Sequence, residues 1–496
     1  MKEKILLLMM LSIFAVSLAF SGGANAGAGG AAYTGSGPVE ITMALSFNGA
    51  EPPPLGSPAQ RIIEEYTNTR LLPTFYANMG SIYPALLASG DMPDIVTASN
   101  NALTRDVMRE GVFWDLNRFL PETNNLKNTN PLILLNATVE GMLIGVPQRV
   151  PVVRRIILYR KDWANNLGLS EPRTIPEFYE FVRAMTFDDP TGTGARTFGL
   201  AVPALIEAGL DYFSIFHGAP NGWDIRNGAF ISQYETPEYL EAMRFLRRLY
   251  AEGILYPEWA TVSRNQQNII FQEGMVLGSM LNNTNSYLQN GAPLEARIPG
   301  AEVAGFTHLV DPRGNVRTKG EPGLAGFLSI PSTVSEAKAG RIIRFMDQLA
   351  DEPMASLMIW GIEGVHHTMQ NGLAVPIPGT DARLSADIRY PWELTVGVVR
   401  FENFAKPGVY NKFLTMQFET ENQGERYAVT NPSYPLFSPT LAERGASLDQ
   451  IVLDATVRFI NGLITEAQFQ AEVTRWKNQG GDQVAREYAE AYNSGR

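Results

Sequence analysis

The sequence predicts an α/β fold of two lobes, each built on a mainly parallel sheet flanked by helices. Between residues 39 and 110, apolar patterns with the two-residue period of strands alternate with the patterns of amphipathic helices. The same alternation starts again after residue 155. Because strands that alternate with helices form parallel sheets covered by those helices, each stretch predicts its own α/β lobe.

The first 37 residues precede this pattern. Lys2 and Lys4 are followed by an apolar run over 5–20 and by small residues ending at Ala26, which is the pattern of a secretory signal peptide over residues 1–26. The run is shorter than the ~20 apolar residues of a membrane-spanning helix. Residues 27–37 are rich in Gly, Ala and Ser and predict a flexible leader.

The first lobe opens with the clearest strand. Over 39–47 apolar and polar residues alternate strictly. Ser57 then caps a helix that has Pro58 at its first position and Gln60 closing a capping box, and this helix extends to about residue 69. Two further strands are predicted at 71–76 and 95–98, and two further helices at 82–89 and 102–110.

The second lobe repeats this order from a short apolar strand at 156–159. Thr174 begins the helix that follows, and Thr236 with Pro237 begins another that Gly253 ends. Thr333 and Glu336 form a predicted capping box further on, and 483–492 is a predicted amphipathic helix.

Composition excludes several classes of function. With 51 acidic and 40 basic residues the 496-residue chain carries a formal charge of −11, so we expect no nucleic-acid partner and no general binding to anionic membranes. There is no cysteine, which excludes disulfides, thiolate metal sites and a cysteine nucleophile. Among the four histidines, His366 and His367 are adjacent and point apart, so we expect no metal and no cofactor.

An exported α/β protein could as easily be a hydrolase, so the enzyme motifs of that class matter here. The chain has no G-x-S-x-G, H-E-x-x-H or G-x-x-x-x-G-K motif. A glycosidase needs only two carboxylates at a set separation, so sequence leaves that class open. Asp94, Glu363 and Glu393 are more simply interpreted as surface, capping or hydrogen-bonding groups, and we expect no catalytic residue.

Several short segments, taken in order, carry a resemblance to a known family. They are Ser-Gly-Asp-Met-Pro-Asp-Ile-Val at 89–96, Gly-Val-Phe-Trp-Asp-Leu at 111–116, the stretch 141–147, Leu-Tyr-Arg-Lys-Asp-Trp at 158–163, Leu-Gly-Leu at 167–169, Pro-Glu-Tyr at 237–239, Phe-Gln-Glu-Gly at 271–274 and Trp-Gly-Ile-Glu-Gly at 360–364. Together they resemble the extracellular solute-binding proteins of ABC importers. The similarity is to the carbohydrate-binding group, which includes lipoproteins of Gram-positive bacteria and alginate-binding proteins.

The resemblance implies a two-lobed periplasmic-binding-protein fold of type II-like topology, with the ligand cleft at the hinge. The first crossing between lobes is expected at 147–155. Lobe 1 is then expected to comprise 38–152 plus about 324–375, and lobe 2 to comprise 153–323 plus about 376–496. Lipoproteins of this group carry an acylated cysteine near the position of Ser21, so its absence here predicts a free periplasmic protein.

A sugar site combines aromatic platforms with planar polar groups. Asp94 lies either in a plain structural turn or in a ligand contact. Trp360 belongs either to the core or to a sugar platform. Arg149, Arg154 and Arg155 either neutralise nearby acidic side chains or bind an acidic sugar. The candidate ligand-binding residues are Asn48, Asp94, Asn100, Arg149, Trp223, Asn282, Asn283, Trp360, Glu363, His366 and Trp392.

One loop departs from the family. Relatives often have Asp-Pro-Asp-Gly-Asn-Gly there, an EF-hand-like calcium site. In this chain Thr191 and Thr193 replace two of the oxygen ligands that would follow Asp189, and Arg196 adds a positive charge. We therefore expect no calcium at this loop.

The predicted function is that of an extracytoplasmic solute-binding component of an ABC transporter. It would capture a carbohydrate, and more specifically an oligosaccharide, by hinge closure and deliver it to the membrane permease, acting as a monomer. Two alternatives stay open: a secreted carbohydrate-active enzyme, either a glycosidase or a lyase, and a binding protein that reports its ligand to a sensor.

Overall fold

The computed structural model describes residues 37–47, 51–99, 102–205, 209–380, 383–388, 400 and 403–494. The predicted signal peptide and nearly all of the leader lie outside these residues, as do Asn48, Asn100 and Trp392. Within the described ranges, no helix combines the length and the apolar character needed to cross a membrane.

Strands and helices alternate along most of the chain and are numbered here in chain order. The strands are β1 (Val39–Ser46), β2 (Thr69–Tyr76), β3 (Ile95–Ser99), β4 (Thr138–Val139), β5 (Met142–Leu143), β6 (Val146–Arg149), β7 (Arg155–Arg160), β8 (Trp223–Arg226), β9 (Ala229–Ser232), β10 (Ser279–Asn283), β11 (Val303–Phe306), β12 (Leu309–Val310), β13 (Val316–Lys319), β14 (Leu324–Ser329), β15 (His367–Gln370), β16 (Leu373–Pro376) and β17 (Ala428–Val429). The α-helices are α1 (Pro58–Thr67), α2 (Met79–Ser89), α3 (Ala102–Arg109), α4 (Pro131–Asn136), α5 (Lys161–Asn166), α6 (Ile175–Phe187), α7 (Asp211–Phe216), α8 (Pro237–Ala251), α9 (Arg264–Glu273), α10 (Ala292–Arg297), α11 (Glu336–Gln348), α12 (Glu352–Trp360), α13 (Lys412–Glu425), α14 (Pro439–Ile460), α15 (Glu466–Trp476) and α16 (Asp482–Ser494).

The first lobe is built on a sheet with strand order β2-β1-β3-β14-β6. β1 runs parallel to β2 and β3, whereas β14 runs antiparallel to β3 and β6. The reversal has a simple cause: β6 leads out of this lobe, and β14 brings the chain back into it. Ile41, Ile95 and Phe327 on three of these strands are fully buried in one apolar core.

The second lobe is centred on β7, which lies between β10 and β11 and is antiparallel to both. Alternate β7 residues face opposite cores, with Ile156 and Leu158 on one side and Ile157 and Tyr159 on the other. The sheet is therefore covered on both faces, as an α/β lobe requires. Its pairing is less parallel than the sequence predicts, because parallel contacts such as Ala201 with Met280 are isolated bridges.

Helix starts follow the predicted capping residues with two differences. Ser57 Oγ accepts a hydrogen bond from Gln60 N, as predicted, but Gln60 Oε1 accepts from Gly56 N at 2.5 Å, so the box closes one residue earlier. The cap of α11 is Ser335 rather than Thr333. Ser335 directly precedes the first turn, and its side chain accepts from the backbone N–H of Lys338.

Two segments that cross between the lobes, 150–154 and 320–323, lie side by side, and the second-lobe stretch 430–437 lies next to them. Glu321 N donates to Val152 O at 2.8 Å, and Gly320 N donates to Val429 O at 3.0 Å. The first of them falls within the crossing expected at 147–155. The two crossings and the adjoining stretch 430–437 thus form one hydrogen-bonded unit, called the crossing ribbon below.

The chain returns to the second lobe later than the expected position near 376. Leu384, Ile388 and Phe404 pack against the core of the first lobe. Phe413 and Met416 on α13 are the next residues to pack against the second lobe. The packing therefore places the return between Phe404 and Phe413, because residues after the β15–β16 hairpin remain against the first lobe.

Candidate functional site

A cavity of about 680 Å³ lies where the two lobes meet the crossing ribbon. The first lobe contributes Arg105 on α3 and the start of β14, and the crossing ribbon contributes Glu321 and Asn431. Lys319, at the end of β13, lies directly before the second crossing. The remaining lining residues belong mainly to the second lobe and include Asp211, Asn221, Trp223, Gln233, Tyr234, Trp476 and Tyr488. A ligand in this space would touch both lobes.

One wall of the cavity is aromatic. The Trp223 ring centroid lies 6.1 Å from that of Trp476 and 5.4 Å from that of Tyr488, and Tyr234 lies 5.2 Å from Trp476. Trp476 and Tyr488 are buried, while Trp223 and Tyr234 are half-buried and offer ring surface to the cavity. Such a wall suits the apolar C–H faces of sugar rings.

A buried ion pair lies in the wall on the ribbon side. Lys319 Nζ is 2.8 Å from Asp211 Oδ2, and both side chains are only 3% exposed. Beside them, Asn221 Nδ2 donates to Gly320 O at 2.7 Å and to Val429 O at 2.8 Å. These bonds join Asn221 to the second crossing and to the end of β17, and they fix the shape of the wall.

Arg105 connects the first lobe to the stretch 430–437 of the crossing ribbon. Its guanidinium Nη2 donates to Tyr434 O at 2.7 Å. Burial lowers the pKa of Arg105 to about 10, so the side chain is still a cation at neutral pH. The cavity therefore has a positive group on the first-lobe side.

Three further arginines gather at the first crossing and the adjoining second lobe. Arg155 Nε lies 3.4 Å from Glu321 Oε1, and Arg155 Nη1 donates to Asn283 Oδ1. Burial, and secondly the charge of Arg155, lower the pKa of both Arg154 and Arg264. Positive charge is thus concentrated beside Glu321, which is itself a cavity residue.

Some of the predicted ligand-binding residues lie at or beside the cavity. Trp223 lines it, and Arg149 is paired in strand register with the cavity residue Leu324. Asn283 does not line it but is bonded to Arg155, which pairs with the cavity residue Glu321. Asn282 is buried, and its Nδ2 donates to Asn268 Oδ1 at 2.6 Å.

The carboxylate of Asp94 is engaged by other residues of the first lobe. Its carboxylate accepts hydrogen bonds from Thr42 N and Thr42 Oγ1, each at 2.8 Å, and forms an ion pair with Lys338. It therefore ties the loop before β3 to β1 and α11. A ligand contact by Asp94 stays a prediction, as it does for Asn48, Asn100 and Trp392 outside the described residues.

Trp360, Glu363 and His366 lie together in the first lobe and do not line the cavity. Trp360 is buried, its ring centroid lies 4.6 Å from that of Tyr410 with the two rings tilted by 32°, and its Nε1 donates to Lys406 O at 2.8 Å. Glu363 is exposed. These contacts account for Trp360 as core packing, and its role as a sugar platform stays a prediction.

His366 gives the chain a pH-dependent element. Its Nδ1 accepts from Ile362 N, and its Nε2 lies 3.1 Å from Asp387 Oδ2. Burial lowers the pKa of His366 below its usual 6.5, aided by the nearby Arg383 and His367 and opposed by Asp387. The unfolded chain therefore takes up this proton at a higher pH than the folded chain. The contribution of neutral His366 to the stability of the fold is complete above pH 6.5 and is lost as pH falls towards the pKa of the folded state.

We expect the free energy of unfolding to fall as pH is lowered from about 7 to about 5, and to fall less steeply in His366→Gln. Urea unfolding at three pH values measures both slopes. His217 and His308 also have pKa values lowered by burial, and they are unchanged in the variant, so some slope remains. An equal slope in the two proteins contradicts the prediction.

The loop of this chain that corresponds to the calcium site of relatives is held by hydrogen bonds within the loop. Asp189 Oδ1 accepts from Thr191 Oγ1 at 3.0 Å, from Thr193 N at 3.1 Å and from Gly194 N at 3.0 Å. In the described part of the chain, no group of three or more His, Asp or Glu side chains is arranged to hold a metal ion.

Sequence reasoning missed several residues of the cavity wall. These are Arg105, Asp211, Tyr234, Lys319, Trp476 and Tyr488. Tyr488 was recognised only as the apolar face of the last helix. The sequence offers little indication that these residues line a cavity, because each also fits the pattern of the helix or strand in which it lies.

Comparison with known proteins places these features in a family. Residues 49–305 match the family model described as bacterial extracellular solute-binding protein. The chain is 31% identical over 449 residues to the polygalacturonan/rhamnogalacturonan-binding protein YtcQ of Bacillus subtilis, covering 88% of each chain, and 27% identical over 461 residues to lipoprotein LipO of the same organism, covering 90% of this chain and 91% of LipO.

The fold has solved counterparts. A crystal structure of an extracellular solute-binding protein from Bifidobacterium longum subsp. infantis matches with a TM-score of 0.72 at 18% identity, covering 93% of this chain and 99% of that one. The predicted resemblance and the two-lobed α/β fold are thereby confirmed.

Proposed function

Because the chain belongs to the bacterial extracellular solute-binding protein family, we propose that it is the solute-binding component of an ABC transporter and captures an oligosaccharide in the cavity between its lobes. The observation that carries the proposal is the composition of the cavity. An aromatic wall from the second lobe faces charged and amide groups on the crossing ribbon and an arginine from the first lobe. That combination matches the apolar faces and hydroxyl rim of a sugar.

The size of the cavity supports a ligand larger than a metal ion or a single small anion. Its volume of about 680 Å³ lies within the range of roughly 300–1,000 Å³ typical of small-molecule sites. The relative YtcQ is named for binding polygalacturonan and rhamnogalacturonan, which are carbohydrates. Both facts favour a carbohydrate ligand.

Capture would proceed by closure of the lobes. A ligand that contacts Arg105 on the first lobe and Trp223 on the second gains interactions only when the two approach each other. Such a ligand shifts the population towards the closed form, and the membrane permease would recognise that form. The hydrogen-bonded crossing ribbon is the element about which the lobes turn.

The protein would act outside the cytoplasmic membrane as a monomer. The proposal rests on the signal-peptide pattern at 1–26 and on membership of an extracellular family. With no cysteine in the sequence, thioether lipid attachment is not available to it. Both points support the proposal of release into the periplasm.

The test combines binding with product analysis on the purified chain from residue 27 onward. Isothermal titration against a panel of neutral and acidic oligosaccharides is expected to show binding, and chromatography is expected to recover each sugar intact. A ligand that binds should also raise the melting temperature, since it binds only the folded state. Cleavage of any bound sugar would contradict the proposal and favour a secreted glycosidase or lyase.

A further inference from the structure

Two arginines at the end of the second-lobe sheet next to the first crossing form no ion pair within the described ranges. Arg154 lies in the first crossing, where its backbone oxygen accepts from Thr284 N at 2.8 Å. Arg264 is the first residue of α9. Both side chains are half-buried, and neither guanidinium makes a hydrogen bond or ion pair with a residue in the described ranges.

Helix α9 holds Arg264 close to the crossing. Gln267 Nε2 on this helix donates to Val202 O at 3.1 Å, and Asn268 Oδ1 accepts from Asn282 on β10. β10 pairs with β7, which starts directly after Arg154. Arg154 and Arg264 therefore approach the same end of the second-lobe sheet from two different elements.

The acidic groups nearby are already engaged by other residues. Glu421 accepts from Arg400 Nη2 at 2.8 Å, from Thr284 Oγ1 at 2.6 Å and from Gln417 Nε2 at 3.0 Å. Glu321 is paired with Arg155. The carboxylates near Arg154 thus already have closer partners.

Partly buried cations without counter-charges destabilise a folded protein unless something gains from them. In a chain of net charge −11 such a concentration of positive charge is also unusual. A bound anion accounts for both facts, because guanidinium groups bind carboxylate and sulfate through paired, charge-assisted hydrogen bonds.

We propose that Arg154 and Arg264 form the position that binds the anionic group of an acidic sugar, so that the cavity selects acidic over neutral oligosaccharides. The inference rests on the proposed function and names its ligand class. The shared chemistry is a planar or tetrahedral oxyanion carried on a sugar ring. Two sources supply it: the carboxylate of a uronic acid and a sulfate ester.

The experiment uses isothermal titration of the full mature chain with three probes. These are tetragalacturonic acid, its fully methyl-esterified form and a sulfated galactan tetrasaccharide. The ester keeps the sugar scaffold and removes only the charge. We expect the acid or the sulfated sugar to bind at least tenfold more tightly than the ester, and whichever binds identifies the source of the anion.

The variants Arg154→Gln and Arg264→Gln are each expected to weaken binding of the anionic probe by about tenfold or more, and binding of the ester by less than threefold. Arg297→Gln removes the same charge from an exposed position on α10 and is expected to change neither. Melting temperatures of all variants show that they fold. Arg264→Lys keeps the charge without the paired donors and should recover part of the loss.

Outcomes that contradict only this inference differ from outcomes that also contradict the proposed function. Equal affinity for acid, sulfated sugar and ester, or equal losses for all probes in the arginine variants, overturns the inference and leaves the proposed function intact. Binding of neutral oligosaccharides alone has the same meaning. Absence of binding by every sugar, neutral or acidic, contradicts the proposed function and the inference together.

Discussion

Replacing Lys319 with Met is expected to lower the free energy of unfolding by about 3–5 kcal/mol. Lys319 Nζ lies 2.8 Å from Asp211 Oδ2, and both side chains are 3% exposed. Removing the cation leaves the Asp211 carboxylate buried without its charged partner, which costs far more than the loss of a surface pair. The midpoint of denaturant unfolding, compared at constant slope, measures the change.

Two further variants separate this effect from the loss of a lysine in general. Lys161→Met breaks the exposed pair with Glu302, in which the side chains are 49% and 48% exposed, and should change stability by less than about 1 kcal/mol. The double variant Asp211→Leu with Lys319→Met removes both charges and should recover most of the stability. A single Lys319→Met variant as stable as the parent would show that the pair does not hold the ribbon wall.

Replacing Trp223 with Ala is expected to weaken sugar binding by about 30-fold or more, equivalent to the 2 kcal/mol or larger cost of truncating a central interface tryptophan. Trp223 offers its half-buried ring to the cavity and rests against Trp476 and Tyr488. Its removal takes away the platform on which the sugar face packs. Isothermal titration with the ligand found for the parent chain measures the loss.

A matched aromatic variant controls for stability. Phe187→Ala truncates an exposed ring at the end of α6, which does not line the cavity, and should leave affinity unchanged. Trp223→Phe keeps an aromatic face and should lose less than Trp223→Ala. If Trp223→Ala binds as tightly as the parent while it remains folded, the aromatic wall is not part of the site.

Local patterns in the sequence predicted most of the elements. Strict alternation over 39–47 predicted β1, and Thr174 and Thr236 predicted the starts of α6 and α8, because period and capping are properties of neighbouring residues. The late return to the second lobe was not predictable in this way. It depends on Leu384 and Phe404 packing against a core whose strands lie hundreds of residues earlier in the chain.

The candidate site likewise has residues that local sequence patterns predict and residues that depend on long-range packing. Trp223 was found because it stands in a polar, glycine-rich loop, where an aromatic residue has no obvious core to join. Trp476 and Tyr488 were not, since each fits the buried face of its own helix and becomes cavity wall only where α15 and α16 meet β8 and β9. Trp360 and His366, which stand in a conspicuous motif, make contacts within the first lobe, and their role in ligand binding stays a prediction.

The position of β14 sets the order in which the chain is able to fold. It lies between β3 and β6, and Ser329 Oγ donates to Ile144 O across a sequence separation of 185 residues. A nascent chain that ends before Leu324 leaves facing edges of β3 and β6 unpaired, and unpaired edges invite association with other chains. The first lobe must therefore wait, incomplete, for synthesis of a distant segment, and slow assembly of such long-range contacts should dominate its folding rate.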